Sequence, residues 1–405
     1  MVLHLHNAPL NERSDVDGAP VVARPRIDLE READVARCGA LADFWYVACL
    51  ATELGRHRPL ARTIFGVHVA LFRDEGGRAR AVRDRCLHRA TALSEGVVTD
   101  GKLCCPYHGW SYDGGGRCVH IPSLGDGQRG EVLSDDEHEK SGLKLAPADV
   151  GCLTTFPVRE QDGLVYVGVA SAPRAEPFSV PYWNRPGWQV YYMVTRFPNG
   201  VTNLVENFMD VPHTVWVHKG WFRNKHSKRV PAVVERKNGS VLVTYQQAQD
   251  KLAGLGVIMN PATLAGGGAP MVHTDKYYVP NITRVDYTWG ERAGFIITSQ
   301  CTPVGPLDSI VYTAISYRLP WDVPGSLVAR ALAPVLFWYT SQVIGQDVDI
   351  MAAQHKGLRG SEPLAFASTE ADLLHADIEE YRRWLLEGAV GSGPDDTSRN
   401  IAFWI

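Results

Sequence analysis

The segment Asn203-Leu-Val-Glu-Asn-Phe-Met-Asp-Val-Pro-His-Thr-Val-Trp-Val-His218 places metal-ligating side chains inside an apolar run. Polar groups are costly to bury beside residues such as Leu204 and Val205 unless a partner satisfies them. Two imidazoles, here His213 and His218, with a carboxylate nearby form the usual protein half of a non-haem iron site. The segment alone leaves one alternative open, which is a buried amphipathic helix whose histidines are incidental.

The spacing within this segment predicts how its side chains are arranged. Asp210 and His213 are three residues apart, so on a helix they share one face, and Asp210 is placed to orient the imidazole. Pro212 lacks an amide hydrogen and tends to end or kink a helix. We therefore expect His213 near a helix break and His218 on the segment that follows.

Length, charge and hydropathy define the class of protein. A chain of 405 residues with a formal net charge of −4 has room for two or three domains and shows no basic footprint for nucleic acid. No secretory signal is predicted, because no basic N-terminal segment precedes a sustained apolar one. The apolar run at 327–345 contains Arg330, Pro334 and Gln342, which predicts a buried helix rather than a membrane span.

The eight cysteines do not resemble a disulfide scaffold, so we expect reduced thiols, a cytoplasmic location and no membrane partner.

The pattern along the chain predicts an α+β fold in four regions. Runs of β-prone residues broken by glycine turns, such as 63–72, predict a small antiparallel β domain in the first half. Further β-prone runs between 241 and 319 predict one antiparallel sheet in the second half, after a proline-rich stretch. The predicted regions are an N-terminal extension (1–40), the β domain (41–170), a linker (171–188) and the second domain (189–405).

Two cysteine–histidine pairs indicate a second metal centre. The pairs are Cys86-Leu-His88 and Cys105-Pro-Tyr-His108. Zinc is the first alternative, because two cysteines and two histidines make a closed tetrahedral site. Zinc fingers usually pair cysteine with cysteine, whereas each half here offers one thiolate and one imidazole, as a Rieske [2Fe–2S] centre requires. Three nearby residues are predicted to be packed or incidental rather than ligands: Cys104, Cys118 and His120.

Both sets of residues resemble motifs of the Rieske non-haem iron, aromatic-ring-hydroxylating oxygenases. Cys86-x-His88-Arg89 with Cys105-Pro-Tyr-His108-Gly-Trp110 resembles their Rieske motif. Asn207-x2-Asp210-x2-His213-x4-His218 resembles their mononuclear iron motif. The resemblance is to the terminal oxygenase (alpha) subunits of the phthalate-oxygenase-like type, which work without a beta subunit. It implies a β Rieske domain followed by a helix-grip-like (START-type) antiparallel sheet whose helices hold the iron.

The resemblance also implies the ligands of the mononuclear iron. His213 and His218 would bind it, and Asn207 would lie close to it. The third ligand would be Asp347, which follows a glutamine as the family's late aspartate does. Asp349 is the alternative, since residues two apart on a helix point to different sides.

A further implication concerns Asp210 and the assembly. In the family, the aspartate at this position links an iron histidine, here His213, to a Rieske histidine of the neighbouring subunit, here His108. This implies a homotrimer whose Asp210 is part of the catalytic machinery. The alternative role for Asp210 is only to orient His213.

The function implied is that of a terminal oxygenase. Such a protein activates O2 at mononuclear Fe(II), with electrons from its [2Fe–2S] cluster, to hydroxylate, demethylate or oxidatively cyclise a small hydrophobic, cyclic substrate. Aromatic cis-dihydroxylation is the first alternative, and a Rieske electron-transfer protein or a zinc hydrolase is more distant. No G-x-G-x-x-G dinucleotide fingerprint between a predicted strand and a predicted helix is evident, so NAD(P)H and flavin are expected on a separate reductase, with or without a ferredoxin between them.

Two segments are predicted to border the substrate site. The apolar stretch 252–270, with its run of glycines, is either a lid or a tolerated insertion. The basic residues of 225–229 form either a solvated face or a docking site for the electron donor.

Overall fold

The computed structural model describes most of the chain. The described residues are 22–25, 27–124, 150–170, 172–221, 229–246, 270–291, 293–320, 327–359 and 365–404. The predicted lid at 252–270, apart from its last residue, and the basic residues 225–228 lie outside these ranges.

Strands dominate the structure. In chain order they are β1 (Val22–Pro25), β2 (Trp45–Leu50), β3 (Leu60–Ile64), β4 (Val67–Arg73), β5 (Ala79–Arg83), β6 (Val97–Thr99), β7 (Lys102–Cys104), β8 (Ser111–Tyr112), β9 (Cys118–His120), β10 (Thr155–Phe156), β11 (Val158–Gln161), β12 (Leu164–Gly168), β13 (Gln189–Phe197), β14 (Arg229–Lys237), β15 (Ser240–Tyr245), β16 (Met271–Tyr278), β17 (Ile282–Trp289), β18 (Ala293–Gly305), β19 (Asp308–Arg318), β20 (Ala365–Ser368) and β21 (Thr397–Trp404).

The helices are few and have distinct positions. They are α1 (Leu29–Glu32), α2 (Val201–Met209), α3 (Leu327–Leu358) and α4 (Leu373–Leu386). Single 3₁₀ turns lie at Gly39–Asp43, Leu93–Glu95, Pro122–Leu124, Pro212–Val215 and Glu370–Asp372.

The first half of the chain forms three small antiparallel sheets. Their strand orders are β10-β5-β4-β3, β11-β12-β2 and β6-β7-β8-β9. The run 63–72, expected as one strand, is in fact the end of β3 and most of β4, joined by a tight turn at Phe65 and Gly66. Both turn residues have positive φ, 50° and 73°, as a two-residue hairpin turn requires. Gly66, a single glycine within a β-prone run, therefore marks a hairpin turn between two strands.

The second half is built on one eight-stranded antiparallel sheet. Its order is β13-β19-β18-β17-β16-β15-β14-β21, so consecutive strands are neighbours except where β13 pairs with β19 and β21 closes the other edge. The α+β fold, with an N-terminal β domain followed by a large antiparallel sheet with helices, is confirmed. The Gly/Ser/Asp-rich stretch 389–398 has the composition of a loose segment, but its last two residues, Thr397 and Ser398, pair with β14 as the start of β21.

The two faces of the large sheet carry different layers. Helices α2 and α4 pack on one face, where Leu204 and Ile378 join a core with inward-facing valines of β14 and β15. The opposite face receives the first half of the chain: Thr302 donates a hydrogen bond to the carbonyl of Val47 (2.7 Å), and Gln300 donates to the hydroxyl of Tyr166 (3.0 Å). The two halves therefore share a buried, hydrogen-bonded interface.

The pattern Thr369-x-x-Asp372, followed by Leu374, Ile378, Tyr381 and Leu385 at helical spacing, predicts a capped helix with one inner face, and α4 forms there. Thr369 accepts a hydrogen bond from the amide of Ala371, and Asp372 accepts one from the amide of Thr369, which forms a capping box before the helix. The four residues expected on its inner face are all buried: Leu374, Ile378, Tyr381 and Leu385. Gly388, at φ +92°, follows its end.

Helix α3 differs from expectation, because it is 32 residues long and largely exposed. Its exposed apolar residues include Leu327, Phe337 and Trp338, so the prediction of a buried helix was wrong. By length and composition alone it could cross a membrane. Its buried side, however, carries Thr340 and Asp347 into the folded domain.

The predicted division of the chain into four regions stays a prediction. Within the predicted extension, Ile27, Cys38 and Ala40 are buried in the core of the first half. The described part of 1–40 therefore packs on the β domain from Ile27 onward.

Candidate metal centres

The first candidate centre begins where α2 ends. Helix α2 stops at Met209, and Asp210 has extended backbone angles (φ −86°, ψ 108°). Pro212 then opens a 3₁₀ turn that carries His213, and His218 follows that turn. The expected helix break near His213 is therefore present, but it comes before Asp210, so Asp210 and His213 do not share one face of a helix. It turns both imidazoles towards helix α3.

Helix α3 supplies the carboxylate that meets the two histidines. Asp347 is 7% exposed, and its Oδ1 lies 3.5 Å from His213 Nε2 and 3.3 Å from His218 Nε2. The two Nε2 atoms are 3.3 Å apart. Asp349, the alternative carboxylate, is exposed on another side of the helix.

These three groups fit a shared metal ion. A ligand atom lies about 2.0–2.2 Å from a bound transition metal, so two ligands of one ion are at most ~4.4 Å apart. All three separations are shorter than that limit. Two imidazoles and one carboxylate on one side of an ion, with other positions open, suit non-haem Fe(II).

Electrostatics keep the carboxylate ionised. Burial alone would raise the pKa of Asp347, but the bonds to His213 and His218 outweigh burial and lower the pKa to about 2. Burial would likewise lower the pKa of His213, but the bond to Asp347 and the charge of Asp210 raise it. The site therefore presents a carboxylate anion, which is the form that binds a cation.

Neighbouring polar groups orient the three side chains. Asn207 Nδ2 donates to Asp347 Oδ1 (3.1 Å), and Gln346 Oε1 lies 2.9 Å from His218 Nδ1. Asp210 Oδ2 is 3.8 Å from His213 Nδ1, which is buried and has no hydrogen-bond partner. The sequence did not single out Gln346 for this role, although it directly precedes Asp347.

A cavity of about 100 Å³ opens on this centre. Apolar side chains from α2, α3 and the sheet form much of its wall, among them Phe208, Val285, Ile297 and Ile344. An apolar wall beside a metal-binding face suits a hydrophobic organic substrate.

The second candidate centre lies between two loops of the first half. Cys86 and His88 follow β5, whereas Cys105 and His108 follow β7. Burial and contact with the Cys86 thiol raise the pKa of Cys105. The ring centroids of His88 and His108 are 4.5 Å apart. The structure thus brings two thiols together and two imidazoles together.

Details of these loops fit a [2Fe–2S] cluster. His88 Nδ1 is buried without a hydrogen-bond partner, as expected of an atom that binds metal. The Tyr112 hydroxyl accepts from the amide of Leu87 (3.2 Å) and lies 3.1 Å from Cys86 Sγ, to which it can donate. His108 is exposed, so one imidazole of the pair faces outward.

The three nearby residues that were set aside lie on strands. Cys104 ends β7, where its sulfur accepts a hydrogen bond from the Ser111 hydroxyl (3.2 Å). Cys118 is buried in β9, and His120 ends that strand. Their positions agree with packed or incidental roles.

Two family models match the chain on either side of the predicted linker. Residues 44–139 match the Rieske [2Fe-2S] domain, and residues 201–387 match the vanillate O-demethylase oxygenase C-terminal domain. The chain belongs to the Rieske oxygenase family. The Rieske match favours a [2Fe–2S] cluster over zinc at the four cysteine and histidine residues.

Curated relatives agree with this assignment. The chain is 28% identical over 362 residues to protein TIC 55 of Arabidopsis thaliana, a chloroplastic protein, covering 86% of this chain and 60% of that one. It is 36% identical over 178 residues to the oxygenase component of dicamba O-demethylase from Stenotrophomonas maltophilia, covering 43% and 47%. The chain thus spans about half the length of the curated relatives it matches.

A solved structure supports the fold. Dicamba monooxygenase bound to 3,6-dichlorosalicylic acid superposes with a TM-score of 0.68 at 21% identity, over 87% of this chain and 99% of that one. The likeness therefore covers both halves of the molecule.

Proposed function

We propose that the protein is the terminal oxygenase of a Rieske non-haem iron system, and that it hydroxylates or demethylates a small hydrophobic organic substrate. One observation carries the proposal. His213, His218 and Asp347 converge within 3.5 Å of one another at an apolar cavity, in a chain that also has a Rieske domain.

The roles of the residues follow from their contacts. When bound, ferrous iron at His213, His218 and Asp347 would activate O2, and a [2Fe–2S] cluster at the cysteine–histidine loops would store the electrons that this consumes. Asn207 holds the Asp347 carboxylate in place, and Gln346 fixes the ring of His218. The apolar wall holds the substrate and excludes bulk water from the site.

We infer monooxygenation rather than dihydroxylation. The second half matches an oxygenase domain named for vanillate O-demethylase, and one relative is named a dicamba O-demethylase. Removal of a methyl group from an ether consumes one O2, two electrons and two protons. It yields an alcohol or phenol, formaldehyde and one water.

We also infer that electrons arrive from separate proteins and pass between subunits. NAD(P)H would be oxidised by a reductase, with or without a ferredoxin, since the sequence shows no dinucleotide fingerprint between a predicted strand and a predicted helix. His108 is exposed on the cluster loop, and Asp210 lies beside His213. Both positions support transfer from His108 of one subunit through Asp210 of the next, in a closed homotrimer. A cytoplasmic location remains part of this proposal.

Metal content and oxygen consumption test the proposal. We expect about three irons and two sulfides per chain, a reducible Rieske EPR signal, and O2 uptake coupled to formaldehyde release from a methoxyarene. Asp347→Ala should lose one iron and all uptake while keeping the Rieske signal. Asp349→Ala is the matched control, because this exposed carboxylate lies on the same helix two residues later.

Three results would count against the proposal. A colourless protein that holds zinc would remove it altogether. Loss of iron in Asp349→Ala but not in Asp347→Ala would contradict the ligand set. A dihydrodiol product with both oxygen atoms from O2 would replace monooxygenation by dihydroxylation.

A further inference from the structure

A lone carboxylate interrupts the apolar inner face of the large sheet. Asp275 lies on β16 and points to the same side as the buried His273 and Tyr277, because alternate residues of a strand share one face. It is 2% exposed and lines the cavity that also contains His213, His218 and Asp347. The residues level with it across four neighbouring strands are all aliphatic: Val243, Val285, Ile297 and Ile315.

Two aromatic residues and a histidine hold this carboxylate in a fixed position. His273 Nε2 lies 2.9 Å from Asp275 Oδ1, and the Tyr245 hydroxyl donates to Oδ2 at 2.7 Å. The His273 ring is stacked between the rings of Tyr245 and Tyr287, at 4.4 and 4.5 Å. Because a carboxylate offers about four acceptor sites, two remain available after these bonds.

Three carboxylates line the cavity beside the imidazoles of His213 and His218, and bound Fe(II) would offset the charge of Asp347. Its carboxylates are Asp210, Asp275 and Asp347, and neither lysine nor arginine is among the lining residues in the described part of the chain. Lys276 follows Asp275 but points to the opposite face of the sheet, where it pairs with Asp286 (3.3 Å). Apart from iron at its ligands, neither a lysine nor an arginine among the described lining residues would pair with an anionic substrate.

Hydroxyl groups add to the polar part of the wall. Thr283, Ser299 and Thr313 line the cavity and are paired across three neighbouring strands, with 3.2 Å between the hydroxyls of Ser299 and Thr313. Thr283 lies level with Tyr277, two residues along β16 from Asp275. The sheet thus offers acceptors on one side of the cavity, and the proposed metal-binding residues come from α3 and from the segment that follows α2.

We propose that Asp275 anchors the substrate by accepting a hydrogen bond from an O–H, N–H or ammonium group, and that it selects against carboxylate and sulfonate substrates. This inference rests on the proposed oxygenase function and names its substrate class. A buried group built to pair with a donor rejects analogues that lack the donor, because the group is then left unpaired. A second anion beside Asp275 would be repelled as well.

Four ring compounds of similar size test the proposal. Each carries a methoxy group, with a different para substituent: 4-methoxybenzylamine, 4-methoxybenzyl alcohol, 4-methoxybenzoate and 4-methylanisole. Binding to the oxidised holoenzyme is measured by calorimetry or ligand-observed NMR, without reductant. We expect the affinity for the amine and for the alcohol to be at least about tenfold higher than for the other two compounds, as a hydrogen bond to a charged group allows.

Two variants locate the preference. Asp275→Asn should reduce the preference for the amine over the benzoate by about tenfold or more, because it removes the charge and keeps the shape. Asp286→Asn is the matched control, since Asp286 is a carboxylate on the adjacent strand whose partners Lys276 and Arg284 lie outside the cavity lining. It should leave the ranking unchanged. Both are compared with the wild type only at equal iron content.

The outcomes separate this inference from the proposed function. The inference is overturned if the wild type binds the benzoate or 4-methylanisole as tightly as the donors, if neither donor binds, or if a folded Asp275→Asn keeps the wild-type ranking. Should Asp275→Asn fail to fold, the wild-type ranking alone decides. A protein that binds the donors but consumes no O2 would fail as an oxygenase while retaining the anchor. Preferential demethylation of the benzoate would support the oxygenase function and contradict the proposed role of Asp275.

Discussion

At the scale of single residues, the mononuclear site depends on groups that never touch the metal. Gln346 precedes Asp347 on helix α3, yet its amide oxygen reaches His218 Nδ1 at 2.9 Å. One turn of helix therefore supplies both a proposed iron ligand, Asp347, and the group that would fix the tautomer of another, His218. Such partners raise metal affinity by holding the imidazole in its binding orientation.

Gln346→Leu should weaken iron binding at the mononuclear site by about 10–100-fold, the usual cost of losing such a partner. The measurement is iron retained during titration with a chelator, with the Rieske EPR signal as an internal reference. Gln342→Leu is the control, because Gln342 is exposed one turn earlier on the same helix. Equal iron loss from both variants would show that the effect comes from the helix and not from the bond to His218.

Asp210 provides a second prediction at this scale. Its carboxylate is 3.8 Å from His213 Nδ1 and lies just after the end of α2. Asp210→Ala should keep all its iron but lose turnover, because the route between subunits would be broken. The check is the rate at which substrate and O2 oxidise the pre-reduced cluster in a single turnover.

The alternative role of Asp210 predicts a different pattern. If it only orients His213, Asp210→Ala should lose mononuclear iron in parallel with activity, and Asp210→Asn should restore both. A fully active Asp210→Ala enzyme would remove both roles.

At the scale of elements, two turns of the first half are packed against each other. Gly101, in the turn between β6 and β7, has φ +69°, and a Cβ there would lie 2.0 Å from the amide nitrogen of Glu75. Glu75 belongs to the turn between β4 and β5. The loop that carries Cys105 is thereby tied to the hairpin that precedes Cys86.

Gly101→Ala should destabilise the first half far more than Gly66→Ala does. Gly66 also has positive φ, +73°, but nothing lies within 4 Å of its added Cβ, so it pays only the conformational cost of about 1 kcal/mol. The measurement is the thermal midpoint followed by the visible absorption of the cluster. Equal shifts of the thermal midpoint for the two variants would mean that the contact between the two turns does not contribute to stability.

The sequence predicted elements well where local signals were strong. Thr369-x-x-Asp372 and Asp162-Gly163 are local signals for a helix start and a hairpin turn, and the structure contains the capping box and the β11–β12 hairpin. The burial of helix α3 was predicted wrongly, because an apolar composition does not show whether other elements cover the helix. β21 was missed because its pairing with β14 joins residues more than 150 positions apart, for which nothing in 389–398 gives a sign.

The sequence also predicted much of the candidate site. Motif spacing singled out the histidines and cysteines, and the Gln-Asp pair singled out Asp347. Gln346 and Asp275 could not be predicted in their roles, since their partners are fixed by a helix crossing and by strand register. Asn207 and Asp347 are 140 residues apart and meet only in the folded chain.

At the scale of the whole molecule, a buried ion pair joins the N-terminal segment to the last helix. Glu32 of α1 contacts Arg382 of α4, 350 residues later, and both are nearly inaccessible. The Thr202 hydroxyl of α2 donates to Glu32 (2.8 Å) and accepts from Arg382 Nε (2.7 Å). Three distant segments therefore meet at one polar cluster behind the helix that leads to His213.

Glu32→Ala should lower stability by about 3–5 kcal/mol, because it leaves the guanidinium of Arg382 buried without its partner. The double variant Glu32→Leu with Arg382→Met should recover much of that loss, since both charges are then absent. Urea unfolding followed by tryptophan fluorescence measures both. Asp34→Ala, which breaks an exposed pair with Arg37, should leave the midpoint unchanged.

A different result would revise the role of this cluster. If Glu32→Ala unfolds at the wild-type urea concentration, the N-terminal segment is not held by the ion pair. The apolar contacts of Ile27 and Leu29 would then carry that role.

The metal-binding side chains come from helices and the turn after α2, whereas the opposite cavity wall comes from side chains of the sheet. A substitution at Asp275, Val285 or Ile297 changes the wall without altering a ligand or the backbone that holds one. Mutation and selection can therefore vary what the cavity accepts while the oxidising centre is inherited intact. Such a division lets one ancestral fold give rise to enzymes with different substrate specificities.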